Sequence, residues 1–340
     1  MNRKLSVGVI GTGSMGESHV RTLRCSCPSV MVSAISDTDE NRMRSLAEDL
    51  GGLDCFSNPM TLIDQVDALV IASPDATHST YVLAALEQKK PVFCEKPLAS
   101  TVEDAVGILQ MEESLGIKLV SVGFNRRFDN RHTALKQLLA DSGFGRPLLF
   151  KGEHRNARAM YHTDGPFILN NSGGHDVDSA CWLLGSIPKE VYCYGIRSRE
   201  SLDAMACDLL VVNLLMENGS RAIAEIYVNA AYGYEVNAQV VCQEGVLSTA
   251  GVELVTVRRQ QKQYSCVGDD FRAYFAHSYR LEMQNWVHSL TSKVPFQGAD
   301  AWDGYLALLT TNIAGYSLTT GTICPIEPMA KPSIYQGEII

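Results

Sequence analysis

The segment LSVGVIGTGSMG (5–16) constrains the fold more than any other part of this chain. Leu5 to Ile10 reads as a short buried strand, and the residues after Gly16 read as a helix carrying Val20 and Leu23. Between them stands G-x-G-x-x-G. Gly11 permits the tight turn, Gly13 lets backbone approach a pyrophosphate, and Gly16 lets helix pack on strand. Ser14, Met15 and Gly16 then open a helix N-terminus, whose amides attract phosphate oxygens.

A second strand, VMVSAISD, ends at Asp37, 21 residues beyond Gly16. A carboxylate there accepts hydrogen bonds from the adenosine ribose hydroxyls and repels a 2′-phosphate. No arginine adjoins Asp37 in the sequence, so NAD is expected rather than NADP. The competing role for Asp37 is to cap a helix starting near Asp39.

Strand and helix keep alternating: VDALVIAS (66–73), a helix from His78 to Lys89, PVFC (91–94), a helix opened by Thr101 with Asp104 at capping-box spacing, then IKLVSVGF (117–124). Apolar strands in this rhythm predict a doubly wound parallel sheet. Ligands bind beyond the carboxyl ends of such strands. Ser73 to His78 (with Pro74 between them), then Glu95 to Pro97 around Lys96, then Asn125 to Phe128 should therefore line the rim of one crevice.

The chain has 340 residues, long enough for two domains. The expected division is a nucleotide-binding Rossmann domain over 1–125 and a substrate-binding and oligomerisation α+β domain over 126–340. In the second part, PLLFKGEHR, KEVYCYGIR, CDLLVVNLLM, RAIAEIYVN, YEVNAQVVC and GVLSTA read as strands, with a turn at Glu217–Asn218–Gly219. They predict a large, mostly antiparallel open sheet. Helices near 271–291 and 301–320 follow, and the tail from Cys324 reads as irregular. One face of an open sheet needs cover, so a homo-oligomer, dimer or tetramer, is expected through it.

Composition narrows the partners. Net charge is −9, which disfavours nucleic acid. No apolar run is long enough to span a membrane, and the N-terminus lacks a signal-peptide pattern. Ten cysteines include no C-x-x-C pair, which fits a reducing cytoplasm and predicts no metal site.

Three segments can carry chemistry. CEKPL places Lys96 at a strand end, where an amine can stabilise alkoxide character at a substrate hydroxyl; the alternative is an ordinary surface lysine. In GFNRRFD, Arg126 and Arg127 read as binders of a polyol or anion at the rim or as structural ion-pair partners, and spacing alone favours the structural reading. In NNSGGHDVD, His175 reads as the start of a helix, sharing a polar face with Asp178. A helix N-terminus keeps an imidazole neutral, and so competent as a base. On this segment alone a structural histidine is the stronger reading.

The stretches VGVIGTGSMG, VFCEKPLAST, VGFNRRFD, EHRNA, HDVD with WLLG, AEIYVN with YGYE, and AWDGY with TTN resemble the glucose–fructose oxidoreductase and inositol dehydrogenase family over residues 7 to about 312. The resemblance implies NAD-linked oxidation of a cyclitol ring hydroxyl. It implies Lys96 at the reacting hydroxyl and His175 as general acid/base. Arg126, His154, Asn156, Asp178 and Tyr234 would line the polyol site. Relatives of this type often carry an aspartate four residues before the histidine; here Asn171 stands there, with a catalytic position but no charge. That departure leaves open another sugar or a modified cyclitol as substrate, or a non-catalytic sensor of NAD or sugar.

Overall fold

A computed structural model describes residues 3–159, 164–200, 202, 206–249, 256–259, 262–265 and 267–336. The chain divides into two compact units. Unit 1 comprises Met1–Phe128, Ser278–Leu308 and Met329–Glu338; unit 2 comprises Asp129–His277, Leu309–Pro328 and the last two residues. A single cut at 125/126 therefore does not describe the chain. The reason is hydrophobic burial. Met283, Trp286 and Val287, on the helix Ala276–Ser292, complete the core built by Val7, Val9, Val20, Leu23 and Phe93.

Unit 1 is a doubly wound sheet. Its strands are β1 (Leu5–Ile10), β2 (Val30–Ser36), β3 (Asp54–Phe56), β4 (Ala68–Ile71), β5 (Val92–Cys94) and β6 (Val120–Val122), in the order β6-β5-β4-β1-β2-β3. All six run parallel, and Ala299–Asp300 adds a short antiparallel edge beside β6. β4, β5 and β6 are buried throughout, as strands covered on both faces must be. Burying Phe93 fully contributes about 1.5–3 kcal/mol. The order reverses direction between β1 and β4, which is where such sheets take their ligands. The tail also docks here: the Tyr335 hydroxyl donates to Glu112, and Ser333 N donates to Glu113 Oε1 at 3.1 Å.

Unit 2 holds β7 (Pro147–Arg155), β8 (Pro188–Ile196), β9 (Leu209–Met216), β10 (Arg221–Tyr227), β11 (Glu235–Cys242) and β12 (Val246–Ser248), ordered β12-β11-β7-β10-β9-β8. Only the β7–β10 pair among them is parallel. Buried residues alternate strictly along β9 and β11, the mark of a sheet with one covered face. Helix Gly174–Leu184 covers it with Val177 and Ala180, and Thr311 and Ala314 from helix Ala301–Thr320 pack on the same side. Asn218 and Gly219 (φ 82°) make the turn between β9 and β10. The tail from Cys324 is not wholly irregular, because Cys324–Pro325 pairs antiparallel with β8 and extends the sheet.

Candidate active site

The two units each carry their own share of the candidate residues. In unit 1 the glycine turn is sterically exact in what it demands. Gly11 has φ 89°, and a Cβ there would lie 2.5 Å from Ala72 O. A Cβ on Gly16 would lie 1.8 Å from Gly11 O. Both positions require glycine. A Cβ on Gly13 meets no protein atom within 4 Å, so the turn is open on that side. Helix Ser14–Ser26 begins there with Gly13 at its N-cap and no side-chain cap. An open, uncapped helix N-terminus backed by close-packed glycines fits a dinucleotide pyrophosphate.

Asp37 follows β2 and is buried. Its Oδ2 accepts from Thr12 N at 2.6 Å and Thr12 Oγ1 at 2.8 Å. Its Oδ1 accepts from Asp39 N at 2.8 Å and Arg42 Nη2 at 2.7 Å. Burial opposes ionisation, but these hydrogen bonds outweigh it and hold the carboxyl at about 2. The helix Glu40–Asp49 is capped by Asp39, not Asp37. No arginine adjoins Asp37 in the sequence, but Arg42, five residues on, meets it in space: one turn of helix swings its guanidinium back onto the carboxylate. Asp37→Ser is expected to weaken the preference for NAD over NADP, since it removes the charge that repels a 2′-phosphate. An unchanged ratio of the two Kd values would reject that role.

The loops after β4, β5 and β6 hold the remaining rim residues. Ser73 Oγ lies 2.7 Å from Thr77 Oγ1, and Pro74 caps the turn Asp75–Thr77. The buried ring of His78 bridges two loops, with Nδ1 2.7 Å from Pro97 O and Nε2 2.9 Å from Ser73 O. It braces the loop after β4 against the Lys96 loop. Glu95 Oε1 pairs with His19 Nε2 at 2.7 Å. Burial raises the Glu95 pKa, but the hydrogen bond and charge of His19, with the charge of Lys96, bring it below the usual value. Lys96 precedes a cis bond to Pro97. Burial depresses its ammonium pKa; Glu95 and Asp75 oppose this, Arg126 assists, and the net shift is downward. Arg126 and Arg127 are both buried in the turn Asn125–Phe128. They divide their work: Arg127 Nη1 pairs with Asp303 Oδ2 at 3.1 Å, while Arg126 lies close enough to act on Lys96.

In unit 2, β7 carries His154 and ends just before Asn156. His154 Nδ1 lies 3.0 Å from Asp176 Oδ2, and both are buried. The Tyr234 ring stands edge-on to His154 at 6.2 Å. Asn156 is fixed by its backbone, donating to Tyr227 O at 2.9 Å and accepting from Ala230 N at 2.8 Å. Asp178 is buried one turn beyond His175.

His175 is not at a helix start. Asp164 caps a helix at Gly165, the segment Leu169–Gly173 winds as one π turn, and Gly174–Leu184 continues as α-helix. The dipole argument for a neutral His175 therefore does not apply, since that effect fades within the first turn. A π turn inside a helix commonly marks a functional position; this one contains Asn171 and precedes His175.

Thr12, His19, Arg42 and Asp176 were missed by the sequence reading. Each acts through a partner on another element or across a turn, so no local spacing marks it. Among the described residues, no group of three or more His, Cys, Asp or Glu side chains could hold a metal ion.

Residues 5–124 match the family model described as an oxidoreductase family with an NAD-binding Rossmann fold, and residues 132–248 match the GFO/IDH/MocA C-terminal domain. An inositol 2-dehydrogenase of Rubrobacter xylanophilus is 36% identical over 99% of this chain and 98% of its own length. This chain belongs to the GFO/IDH/MocA oxidoreductase family. Inositol 2-dehydrogenase 2 of Saccharopolyspora erythraea is also 36% identical, over 97% of this chain and 98% of that protein. The crystal structure of myo-inositol dehydrogenase from Lactobacillus casei, in complex with NAD(H) and myo-inositol, superposes with a TM-score of 0.93 at 28% identity. It covers 98% of this chain and 100% of its own. As a member of the GFO/IDH/MocA family, the chain has its nucleotide-binding half in unit 1 and the family's C-terminal sheet in unit 2.

Proposed function

We propose that this chain oxidises a ring hydroxyl of an inositol to the ketone, using NAD. The observation that carries the reading is Lys96. It is a half-buried lysine that directly follows β5, on the rim that also holds the glycine turn, with its ammonium pKa depressed, in a chain alike over its full length to inositol 2-dehydrogenases. When bound, NAD accepts a hydride from the substrate carbon. Lys96 donates a hydrogen bond to the reacting oxygen and steadies its developing negative charge. His175 takes the hydroxyl proton. Arg126, His154, Asn156, Asp178 and Tyr234 hold the other polyol hydroxyls, with Asp176 fixing the His154 ring.

The test is NADH formation, followed by absorbance at mildly alkaline pH, across a panel of inositol isomers and aldoses. Turnover with an inositol supports the reading. NADH binding without turnover on any polyol would overturn it in favour of a sensor.

A second reading, oxidation of a modified cyclitol or another sugar, is favoured by one observation: Asn171 lies in the π turn four residues before His175. Asn171→Asp would place a negative charge near the imidazole and raise its pKa. The base form is then reached only at higher pH, so the rising limb of the pH–rate profile should move upward. Superimposable profiles would argue against coupling between the two positions.

The same reading includes a homo-oligomer, dimer or tetramer, formed through the outer face of the unit 2 sheet. Tyr192, Tyr194 and Ile196 stand exposed there on β8. Sedimentation velocity tests this, and a monomer at micromolar concentration would overturn it. No disulfide joins the cysteines among the described residues, which accords with a reducing cytoplasm. No helix among the described residues is long and apolar enough to cross a membrane.

A further inference from the structure

The Asp37 carboxylate has already committed its accepting capacity. A carboxylate offers about four lone-pair directions. Thr12 N, Thr12 Oγ1, Asp39 N and Arg42 Nη2 take four, all at 2.6–2.8 Å. A ribose diol binding to this group must displace a donor. Two of the four are main-chain amides and cannot leave without moving the backbone. Thr12 is fully buried on the glycine turn. Arg42 is different, because its side chain is 46% exposed and long enough to swing aside. It is therefore the donor that yields.

A displaced Arg42 does not go far. Asp39 Oδ2 lies 3.7 Å from its Nη1 and keeps the guanidinium beside the Asp37 carboxylate. A ribose diol seated on Asp37 would bring its 2′ substituent toward that guanidinium, whose planar fork matches a phosphate. NAD binding has to break an ion pair. NADP binding exchanges that pair for a new one to the 2′-phosphate.

We propose that Arg42 is a cofactor-selecting residue, and that it makes the pocket accept NADP as well as NAD. Selectivity is then set by the Asp37–Arg42 pair and not by Asp37 alone. The inference rests on the assignment of the glycine turn and Asp37 to a dinucleotide. It makes no use of the polyol substrate.

The test is direct titration of NADH and NADPH by their own fluorescence, using the intact chain and no polyol. Arg42→Gln removes the charge at an exposed position, so the fold is retained, and a thermal midpoint checks this. NADPH should bind at least ~10-fold more weakly, the scale of one charge-assisted hydrogen bond. NADH affinity should hold within ~3-fold or improve, because NADH no longer has to break the Asp37–Arg42 pair. Arg42→Lys should keep part of the NADPH affinity. In an Asp37→Ser background, Arg42→Gln should again lower NADPH affinity, as a guanidinium–phosphate contact requires.

Equal effects on the two cofactors, or none on either, would overturn the proposal. So would a wild-type protein that binds NADH but no NADPH. If the wild type binds neither, the dinucleotide assignment itself fails, and this inference falls with it.

Discussion

Lys96→Ala is expected to lower turnover at least ~100-fold, the scale of a lost acid/base or electrostatic contact at the reacting atom. Cofactor binding should survive. The structure separates these two effects. Lys96 follows β5, whereas the glycine turn follows β1 and Asp37 follows β2. Removing the ammonium also leaves no lone buried charge behind, because Glu95 keeps its 2.7 Å contact with His19. A merely structural lysine would show the opposite pattern: lower stability with kcat intact. Turnover on an inositol beside NADH titration tells these apart. Near-normal kcat would sink the assignment.

Gly16→Ala is expected to produce the largest loss of fold and cofactor binding together. The added Cβ would sit 1.8 Å from Gly11 O, a backbone atom. Gly11 cannot retreat, since its own Cβ position is 2.5 Å from Ala72 O behind it. The turn must open. Overpacking of this kind costs about 1–3 kcal/mol or more. At roughly 2–4 °C per kcal/mol, the melting temperature should fall by about 2–12 °C. NADH affinity should fall with it. Gly13→Ala is the control, because its Cβ meets no protein atom within 4 Å. It should melt near the wild type and impair only cofactor approach. Equal melting temperatures for the two variants would show that the turn is not constrained as described.

These expectations differ in where they could be read. The glycine turn, the strand ends at Asp37 and Lys96, and the alternating strands β9 and β11 were legible in the sequence. All are local. Turn geometry, strand periodicity and capping act within a few residues, so residue order alone exposes them. The matching of Thr101 with Asp104 is of this kind, and Asp104 N does donate to Thr101 Oγ1 at 3.1 Å.

The segment around His175 was misread for an instructive reason. Glycines in NNSGG look like helix breakers. In the fold Gly173 is a point of close approach, since a Cβ there would lie 3.1 Å from Ile226 Cδ1; the same holds at Gly165, eight residues earlier, where a Cβ would lie 2.2 Å from Leu318 Cδ2. Packing of the helix on the sheet of unit 2 outweighs the weak intrinsic preference of glycine against helix. The helix therefore runs on, and His175 falls in its interior.

Residue order alone sets the fold class and the glycine turn after β1, because short-range sterics and hydrophobic periodicity encode them. Tertiary structure alone decided which partners set their charge. His19 meets Glu95 across 76 residues, and Asp176 meets His154 across 22. It also decided that Met283, Trp286 and Val287, from the last part of the chain, belong to the core of unit 1. Such pairings depend on how elements pack. Burial in that packing gives a hydrogen bond or a charge its strength.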